Sequence, residues 1–344
     1  LVERLGGGGM GIVDSARDER LGRTVAIKLL KPELSGTNAS NLAAEAQSLA
    51  RLAHPNVVAV YDVGEHDGQL FVAMEYVEGQ NLRRWLQSRR SMAEILDVYI
   101  AAGKGLSAAH KAGMVHRDFK PDNVLVGLDG RPRILDFGLA RAPDDDGEAS
   151  PPSFADDAEA TATSMSRHGM LLGTPAYMAP EQHLGLRADA RSDQFGFCVA
   201  LYQAVYGRLP FPTEELRALS LAIVGGRLTP PPVDPRVPES LRNLLSRGLK
   251  TDPNARFISM DALLAELETI RGELDGGVPW AVAPTMISPM PTPASVGAAA
   301  QATPAPTPSG DQQGVYDTRA INHMFGTPSP TPASKGPAGT GARP

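Results

Sequence analysis

Cysteine is almost absent from this sequence, because the 344-residue chain contains only Cys198. One thiol allows neither an intramolecular disulfide nor a zinc site built from several thiolates, and it fits a reducing compartment. No apolar run approaches the roughly 20 residues that cross a bilayer, and no secretory leader is visible. We therefore expect a cytoplasmic domain, with membrane attachment only through a segment beyond residue 344.

Basic residues are too few for general binding of polyanions. Lys and Arg number 33 against 39 Asp and Glu, which gives a formal net charge of -6. We therefore expect no nucleic-acid partner. Aromatic residues are also scarce, at 5%, but a hydrophobic content of 42% is enough for a packed core. The length allows one large or two ordinary domains.

Glycine, by contrast, is concentrated near the start, within a stretch (residues 1–73) that mainly predicts strands. Gly6, Gly8, Gly11 and Val13 have the spacing G-x-G-x-x-G-x-V. Alone, such a cluster is more often a flexible turn. Here an apolar β-branched run ending at Lys28 follows. Strand, glycine turn, strand and lysine are together typical of a backbone that approaches a triphosphate while the lysine supplies charge.

A helix is predicted over Asn41–Leu52, because apolar residues recur there at three- and four-residue spacing. Glu45 lies in this helix. Its carboxylate has two interpretations, a solvated helix side chain or an ion pair with Lys28.

Two strand-like runs, Val124–Val126 and Arg133–Leu135, flank the turn signal Asp129-Gly130 and predict a hairpin. Four polar residues lie at the open ends of this hairpin: Asp118, Lys120, Asn123 and Asp136. Because a hairpin brings its ends to one edge, two carboxylates and an amide should face one space. Such hard oxygen ligands suit Mg²⁺.

Apolar patterns predict further elements: a strand over Leu70–Val77, helical structure from Leu82 to Ala112, and helices at Phe197–Val205, Leu241–Leu249 and Met260–Ile270. Residues 142–166 carry seven acidic and no basic side chains, a composition that does not order itself. They are either a tolerated surface insertion or a loop that accepts phosphate. Residues 276–344, rich in Pro, Ala, Thr, Gly and Ser, indicate a disordered linker.

The combined motifs resemble the eukaryotic-type, or Hanks-type, serine/threonine protein kinases, and within them the bacterial subgroup. The motifs that carry the resemblance follow the family's order: the glycine loop, Val25-Ala26-Ile27-Lys28, His116-Arg117-Asp118 with Lys120 and Asn123, Asp136-Phe137-Gly138, Gly173-Thr174-Pro175 and Ala179-Pro180-Glu181. The resemblance covers about residues 1–270. It implies an α+β, bilobal protein-kinase fold, with a small β-rich N-lobe carrying helix αC and a larger, mainly α-helical C-lobe.

The implied activity is transfer of the γ-phosphoryl group of ATP to serine and threonine hydroxyls of protein substrates, in bacterial signal transduction. The implied catalytic residues are Asp118 as proton acceptor, Lys120 as neutraliser of the moving phosphoryl group, Asn123, Lys28 and Glu45. The family resemblance that the combined motifs carry favours the ion pair of Glu45 with Lys28. Asn123 and Asp136 are the implied ligands of Mg²⁺, with Mn²⁺ as an alternative. The implied ATP-binding residues are Gly6, Gly8, Gly11, Val13, Ala26, Lys28, Met74, Glu75, Val77, Leu125 and Asp136.

Regulation is also implied by the resemblance. Arg117 would pair with a phosphate on the acidic loop, whose candidate acceptors are Thr161, Thr163, Ser164 and Ser166, and Thr174 would contact the catalytic Asp and Lys. Glu181 and Arg256 would form a buried structural bridge, and Asp193 would brace the catalytic-loop backbone. Family analogy suggests a back-to-back homodimer through the small lobes.

One residue departs from the family pattern. Asp14 follows Val13 at a position that is commonly Tyr, and we expect an acid close to the nucleotide to weaken ATP affinity.

We expect a kinase domain over residues 1–273, with an N-lobe at about 1–75, a C-lobe at about 80–273 and an acidic activation-loop insertion at 142–166. A disordered Pro/Ala/Thr-rich linker or tail follows at 274–344. Three alternatives stay open. A pseudokinase scaffold usually lacks the Lys, Asp or Asn found here, and a small-molecule phosphotransferase lacks the Ala-Pro-Glu segment. An interaction protein acting through residues 276–344 is compatible with kinase activity.

Overall fold

A computed structural model of the chain describes residues 2–8, 11–31, 47–66, 69–137, 175–212 and 215–275. The acidic stretch at 142–166 and the segment at 276–344 lie outside these ranges. Within the described ranges, no helix combines the length and the apolar character needed to cross a membrane.

The N-terminal part is a five-stranded antiparallel sheet in the order β1-β2-β3-β5-β4. Its strands are β1 (Glu3–Gly8), β2 (Gly11–Asp18), β3 (Arg23–Leu30), β4 (Val60–His66) and β5 (Gln69–Glu75). Residues 47–50, between β3 and β4, are helical. They fall in the predicted helix, whose first part lies outside the described residues.

A second, three-stranded sheet joins this part to the rest of the chain. It consists of β6 (Gly79–Asn81), β7 (Val124–Gly127) and β8 (Pro132–Ile134). Strands β7 and β8 pair antiparallel, which confirms the predicted hairpin. The Val58 amide donates to the Ile134 carbonyl at 3.0 Å, and the Ile134 amide donates to the Asn56 carbonyl at 3.0 Å. The stretch before β4 is therefore fixed to the hairpin.

The C-terminal part is helical. Its helices are α1 (Leu82–Trp85), α2 (Met92–Lys111), α3 (Pro180–His183), α4 (Ala190–Tyr206), α5 (Leu216–Val224), α6 (Glu239–Gly248) and α7 (Met260–Asp275). Helix α4 lies in the core, because every residue from Ser192 to Ala204 is buried. Burial raises the pKa of the Cys198 thiol on this helix to about 12, so the thiol stays protonated.

Two helix boundaries differ from the prediction. The helical stretch expected from Leu82 to Ala112 is two helices, because Ser91 and Glu94 form a capping box that starts α2 anew. Helix α4 begins at Ala190, earlier than the predicted Phe197, because Asp189 caps it by accepting from the Arg191 amide at 2.7 Å. Asp193 is therefore a helical residue.

The predicted bridge between Glu181 and Arg256 is present, and both residues are buried. The Arg256 Nη1 and Nη2 groups donate to the two carboxylate oxygens of Glu181, each at 2.8 Å. The remaining donors of Arg256 reach the carbonyls of Lys250, Arg191 and Thr251. A buried ion pair of this kind is tolerated because its hydrogen-bonding capacity is filled.

Removing one partner of this bridge should be strongly destabilising. We expect Arg256→Met to lower the free energy of unfolding by about 3–5 kcal/mol, because the Glu181 carboxylate then stays buried without its cation. Lys104→Met, which removes an ion pair that Lys104 and Glu268 form at about half exposure, should cost under about 1 kcal/mol. Denaturant titration of both variants measures the difference, and equal losses would contradict a structural role for the buried bridge.

Candidate active site

The register of the N-terminal sheet places four of the expected nucleotide-binding residues on one face. Val13 is opposite Lys28, and Lys28 is opposite Val72. In the next row, Ala26 is opposite Met74. Directly paired residues project from the same side of an antiparallel sheet, so Val13, Ala26, Lys28 and Met74 share a face.

Lys28 reaches from this face to the segment after β8. Its Nζ donates to Asp136 Oδ1 at 2.6 Å, and the lysine is almost fully buried. The predicted partner Glu45 lies outside the described residues. Asp136 has a φ of 56°, a left-handed conformation that is uncommon for residues other than glycine. Residues in such conformations concentrate at functional sites.

The segment from Asp118 to Asn123 brings three expected catalytic residues together. Lys120 Nζ donates to Asp118 Oδ2 at 2.7 Å. Asn123 Nδ2 donates to the Asp118 carbonyl at 2.8 Å and to Asp118 Oδ2 at 3.0 Å. A short 3-10 turn, Pro121–Asn123, sets the spacing between these side chains.

The oxygen atoms left over suit a hard cation. Within the described residues, Asp136 Oδ2 and the Asn123 amide oxygen accept no hydrogen bond, whereas Asp136 Oδ1 is taken by Lys28. A carboxylate and an amide oxygen are ligand types that Mg²⁺ uses together with waters and phosphates. The residues present therefore fit a magnesium-bound nucleotide.

A buried carboxylate holds this catalytic segment from below. Asp193 on α4 accepts from the His116 amide and the Arg117 amide, each at 2.7 Å. Its Oδ2 also lies 2.7 Å from His110 Nε2. Arg117 has a φ of 65°, a conformation that costs of order 1–3 kcal/mol and persists only when surrounding contacts impose it. Asp193 therefore braces the backbone next to Asp118, as the sequence predicted.

His116 is a second brace, and sequence reasoning gave it no role of its own. Its Nδ1 accepts from the Asp118 amide at 3.2 Å, and its Nε2 lies 2.8 Å from the Leu135 carbonyl. Its ring contacts that of Phe137, with centroids 4.7 Å apart. The imidazole therefore ties the segment of Asp118 to the segment of Asp136.

Other expected residues have identifiable surroundings. The Glu75 amide donates to the Ala59 carbonyl at 2.8 Å, and its carboxylate pairs with Arg133 at 3.0 Å. No hydrogen bond of Val77 occurs within the described part of the chain. Leu125 is half-buried, between the buried Val124 and Val126. Alternation along the strand turns it to the other face of the hairpin.

The glycines differ in what they do. A Cβ at Gly11 would overlap the Leu29 carbonyl oxygen, so this glycine is needed for the approach of β2 to β3. A Cβ at Gly6 would meet nothing. Gly8 is the last residue of β1 and pairs with Gly11.

Asp14 is not where we expected it. It is opposite Ile27 and Arg4, so it projects from the face of the sheet opposite to Lys28. Its carboxylate is buried, and Arg4 Nε donates to it at 3.1 Å. The expectation that this acid lies close to the nucleotide is therefore wrong, because neighbouring residues of a strand point to opposite faces.

Several expected regulatory residues lie outside the described residues: Thr161, Thr163, Ser164, Ser166 and Thr174. Arg117 is described. Its carbonyl accepts from Gln182 Nε2 at 2.7 Å. Its guanidinium makes no hydrogen bond or ion pair with any other described residue.

Comparison with known proteins identifies the family. The family model for the protein kinase domain matches residues 1–266, and the chain belongs to this family. It is 38% identical over 261 residues to the serine/threonine-protein kinase PknA of Mycobacterium tuberculosis, covering 73% of this chain and 56% of PknA. It is 36% identical over 292 residues to the serine/threonine-protein kinase pkn3 of Myxococcus xanthus, covering 78% of this chain and 49% of pkn3.

The fold agrees with this assignment. The crystal structure of the Mycobacterium tuberculosis PknI kinase domain superposes with a TM-score of 0.59 at 27% identity, covering 79% of this chain and 95% of that domain. The resemblance to Hanks-type bacterial serine/threonine kinases and the bilobal α+β kinase fold are therefore confirmed. The chain spans about half the length of PknA and pkn3.

Loosening the brace under the catalytic segment should impair turnover more than nucleotide binding. We expect Asp193→Asn to lower kcat about 10- to 100-fold, because its amide group cannot accept from two backbone amides and His110 together, and small displacements of catalytic groups are costly. The KM for ATP should stay within about threefold, because Lys28 and the sheet are untouched. Steady-state kinetics beside Asp261→Asn, an exposed acid on α7, would contradict the brace if both variants behaved alike.

Proposed function

We propose that this protein is a serine/threonine protein kinase that transfers the γ-phosphoryl group of magnesium-bound ATP to hydroxyls of protein substrates. The observation that supports this most is the meeting of Lys28 with Asp136, beside the Asp118, Lys120 and Asn123 cluster. It brings an ammonium, two cation-binding oxygens and a proton acceptor into one part of the fold. Their motifs belong to the protein kinase family.

Each residue has a defined role in this proposal. Asp118 accepts the proton of the substrate hydroxyl and orients that oxygen toward the γ-phosphorus, while Lys120 offsets charge on the moving phosphoryl group. Lys28 holds the α- and β-phosphates, and Glu45 would hold Lys28. Asn123 and Asp136 would hold Mg²⁺, which would supply positive charge that offsets the charge developing on the phosphates. Mn²⁺ is an alternative.

The adenosine part would lie against the face shared by Val13, Ala26 and Met74. Its adenine edge would meet backbone groups between Glu75 and Val77, with Leu125 beneath the ring. The glycines at positions 6, 8 and 11 would cover the phosphates. These assignments follow from the shared sheet face, the strand register and the family resemblance.

Larger-scale features also stay proposals. We place the kinase domain at residues 1–273 and a linker at 274–344, and we propose protein substrates and a homodimer through the small lobes. The cytoplasmic placement of the domain stays a prediction.

The activity is tested by phosphate transfer from γ-labelled ATP with Mg²⁺ to a mixture of acidic and basic acceptor proteins. Lys28→Ala and Asp136→Asn should each lower transfer by at least about a thousandfold, because both remove charge that stabilises the transition state. The matched control is Lys31→Ala, which changes an exposed lysine three residues after Lys28. It should stay within about twofold of wild type.

The same assay separates the alternatives. Label in neither acceptor nor kinase with any divalent metal, while ATP binding persists, would contradict the proposal and favour a binding scaffold. When a small alcohol and an amino sugar are added to the assay, label in either of them with none in protein would favour a small-molecule phosphotransferase.

We also propose that autophosphorylation between Thr161 and Ser166 raises activity through Arg117. The guanidinium of Arg117 is without a partner among the described residues, so it is available to a phosphate. The backbone of Arg117 itself is strained, and Asp193 holds it by accepting from its amide. Arg117→Gln should abolish at least about nine-tenths of the gain in activity that follows preincubation with ATP, while leaving the unphosphorylated rate within about threefold. Peptide mass mapping measures the modification, and a fully active protein with this stretch unmodified would overturn the proposal.

A further inference from the structure

A run of arginines follows strand β6. Residues 79–93 contain no acidic side chain and four arginines: Arg83, Arg84, Arg89 and Arg90. Arg90 is accounted for within the fold, because its guanidinium stacks over the Trp85 ring at 4.2 Å and lies 3.8 Å from Glu94. The other three need a separate explanation.

Arg83 neutralises the acid that precedes Asn123. Its Nε donates to Asp122 Oδ1 at 2.8 Å, and its Nη2 donates to Asp122 Oδ2 at 2.6 Å. This bidentate contact raises the pKa of Arg83 above its ordinary value. The Asp122 carboxylate, which lies within the segment from Asp118 to Asn123, is thereby paired and no longer available to a basic side chain of a substrate. The Nη1 group of Arg83 donates to no described residue, and a quarter of the side chain is exposed.

Arg83 also reaches the Ala-Pro-Glu segment. Its Nη2 donates to the Tyr177 hydroxyl at 3.2 Å, and that hydroxyl donates to Gln203 Oε1 on α4 at 2.6 Å. The guanidinium therefore lies between the catalytic segment and residues 175–181. Both border the place where a substrate hydroxyl must approach Asp118.

Arg84 and Arg89 follow Arg83 by one and six residues in the chain. Both are exposed, and neither side chain has a hydrogen bond or ion pair with another residue in the part of the chain that the structure describes. Unpaired arginines present donors that match a carboxylate. Because Arg83 is paired with Asp122, the unbalanced positive charge of this stretch comes from Arg84 and Arg89, and it favours an anionic segment.

We propose that the arginine surface formed by Arg83, Arg84 and Arg89 selects protein substrates whose phosphorylated serine or threonine is flanked by acidic residues. This inference rests on the proposed kinase function and names its substrate class. The proposal requires carboxylates a few residues from the acceptor to reach these arginines while the hydroxyl is at Asp118, and an extended peptide advances about 3.3 Å per residue. Arg83 positions the catalytic segment and contributes Nη1, and the other two contribute charge.

The sequence of this chain includes a segment of that chemistry. Residues 142–166 carry seven acidic and no basic side chains together with Thr161, Thr163, Ser164 and Ser166. A second copy of the chain would therefore be a substrate of the expected kind. The opposite charge of the arginine surface supplies the attraction.

The test uses two peptides that differ only in charge. Both carry one threonine acceptor; the first has flanking Asp and Glu, and the second has Asn and Gln at those positions. The double variant Arg84→Gln/Arg89→Gln removes two charges from the surface without touching the groups at Asp118. The matched control is Arg17→Gln/Arg20→Gln, which removes two exposed arginines that likewise lack side-chain partners among the described residues.

Wild type and control should prefer the acidic peptide in kcat/KM by about three- to tenfold, a preference that shrinks with added salt, and Arg84→Gln/Arg89→Gln should bring it below about twofold. The neutral peptide should be phosphorylated equally by all three proteins. Equal use of both peptides by wild type overturns the proposal, as does the same change in both double variants.

Binding separates this proposal from the proposed function. Fluorescence anisotropy of the labelled acidic peptide, without ATP, should show weaker binding to Arg84→Gln/Arg89→Gln than to the control. If that difference appears while no peptide is phosphorylated, the arginine surface stands and the kinase activity fails. A single-stranded oligonucleotide of equal charge should compete no better than the neutral peptide, and displacement at equal charge would show a general anion surface instead.

Discussion

The site depends on one buried carboxylate, that of Asp193. It accepts the amides of His116 and Arg117, and it thereby fixes a backbone conformation that Arg117 would not adopt alone. The carboxylate belongs to α4, which is buried along nearly its whole length. The position of the catalytic segment is therefore tied to the core of the C-terminal part.

Charges at the site are already paired in the protein itself. Lys28 is bound to Asp136, and Lys120 to Asp118, so neither buried cation nor carboxylate stands alone. Unpaired charges at such depth would be expensive. A magnesium-bound nucleotide would then exchange partners within an existing set of charges. The charged groups would then be oriented before the proposed reaction. Such preorganised electrostatic groups usually supply the largest part of an enzyme's rate enhancement.

Hydrogen bonds and an ion pair also connect the N-terminal sheet with the three-stranded sheet. The Asn56 and Val58 backbone groups pair with Ile134 on β8, and the Glu75 carboxylate pairs with Arg133 on the same strand. The hairpin that precedes Asp136 is thus held against the stretch before β4 and against the end of β5. Lys28, on the sheet, and Asp136, after the hairpin, meet because these contacts fix the two surfaces that carry them.

Local features were predictable from the sequence, and distant pairings were not, unless a family motif supplied them. The hairpin at β7 and β8 follows from its turn signal and strand-forming residues. The expectation for Asp14 was wrong, although alternation along β2 implies the right answer: Val13 shares a face with Lys28, so its neighbour Asp14 points to the opposite face. The contact of Arg83 with Asp122 joins positions 39 apart in the sequence, and no periodicity or turn signal specifies such a pair.

The early start of α4 has a simple local cause that the apolar pattern hid. Its first turn is polar, so the predicted helix began only at the apolar residues, whereas the Asp189 cap fixes the true start. His116 shows a different limit. Its place in a motif was evident, but its link to the Leu135 carbonyl depends on the packing of two segments.

The central claim is that Lys28, Asp136, Asn123 and Asp118 gather around the phosphates of ATP. A crystal structure with a non-hydrolysable ATP analogue and Mg²⁺ tests it most directly. We predict Mg²⁺ at about 2.1 Å from an oxygen of Asp136 and of Asn123, with Lys28 Nζ within hydrogen-bonding distance of a phosphate. A nucleotide bound elsewhere would contradict the claim. So would a structure in which these four side chains lie apart from one another and do not surround the phosphates.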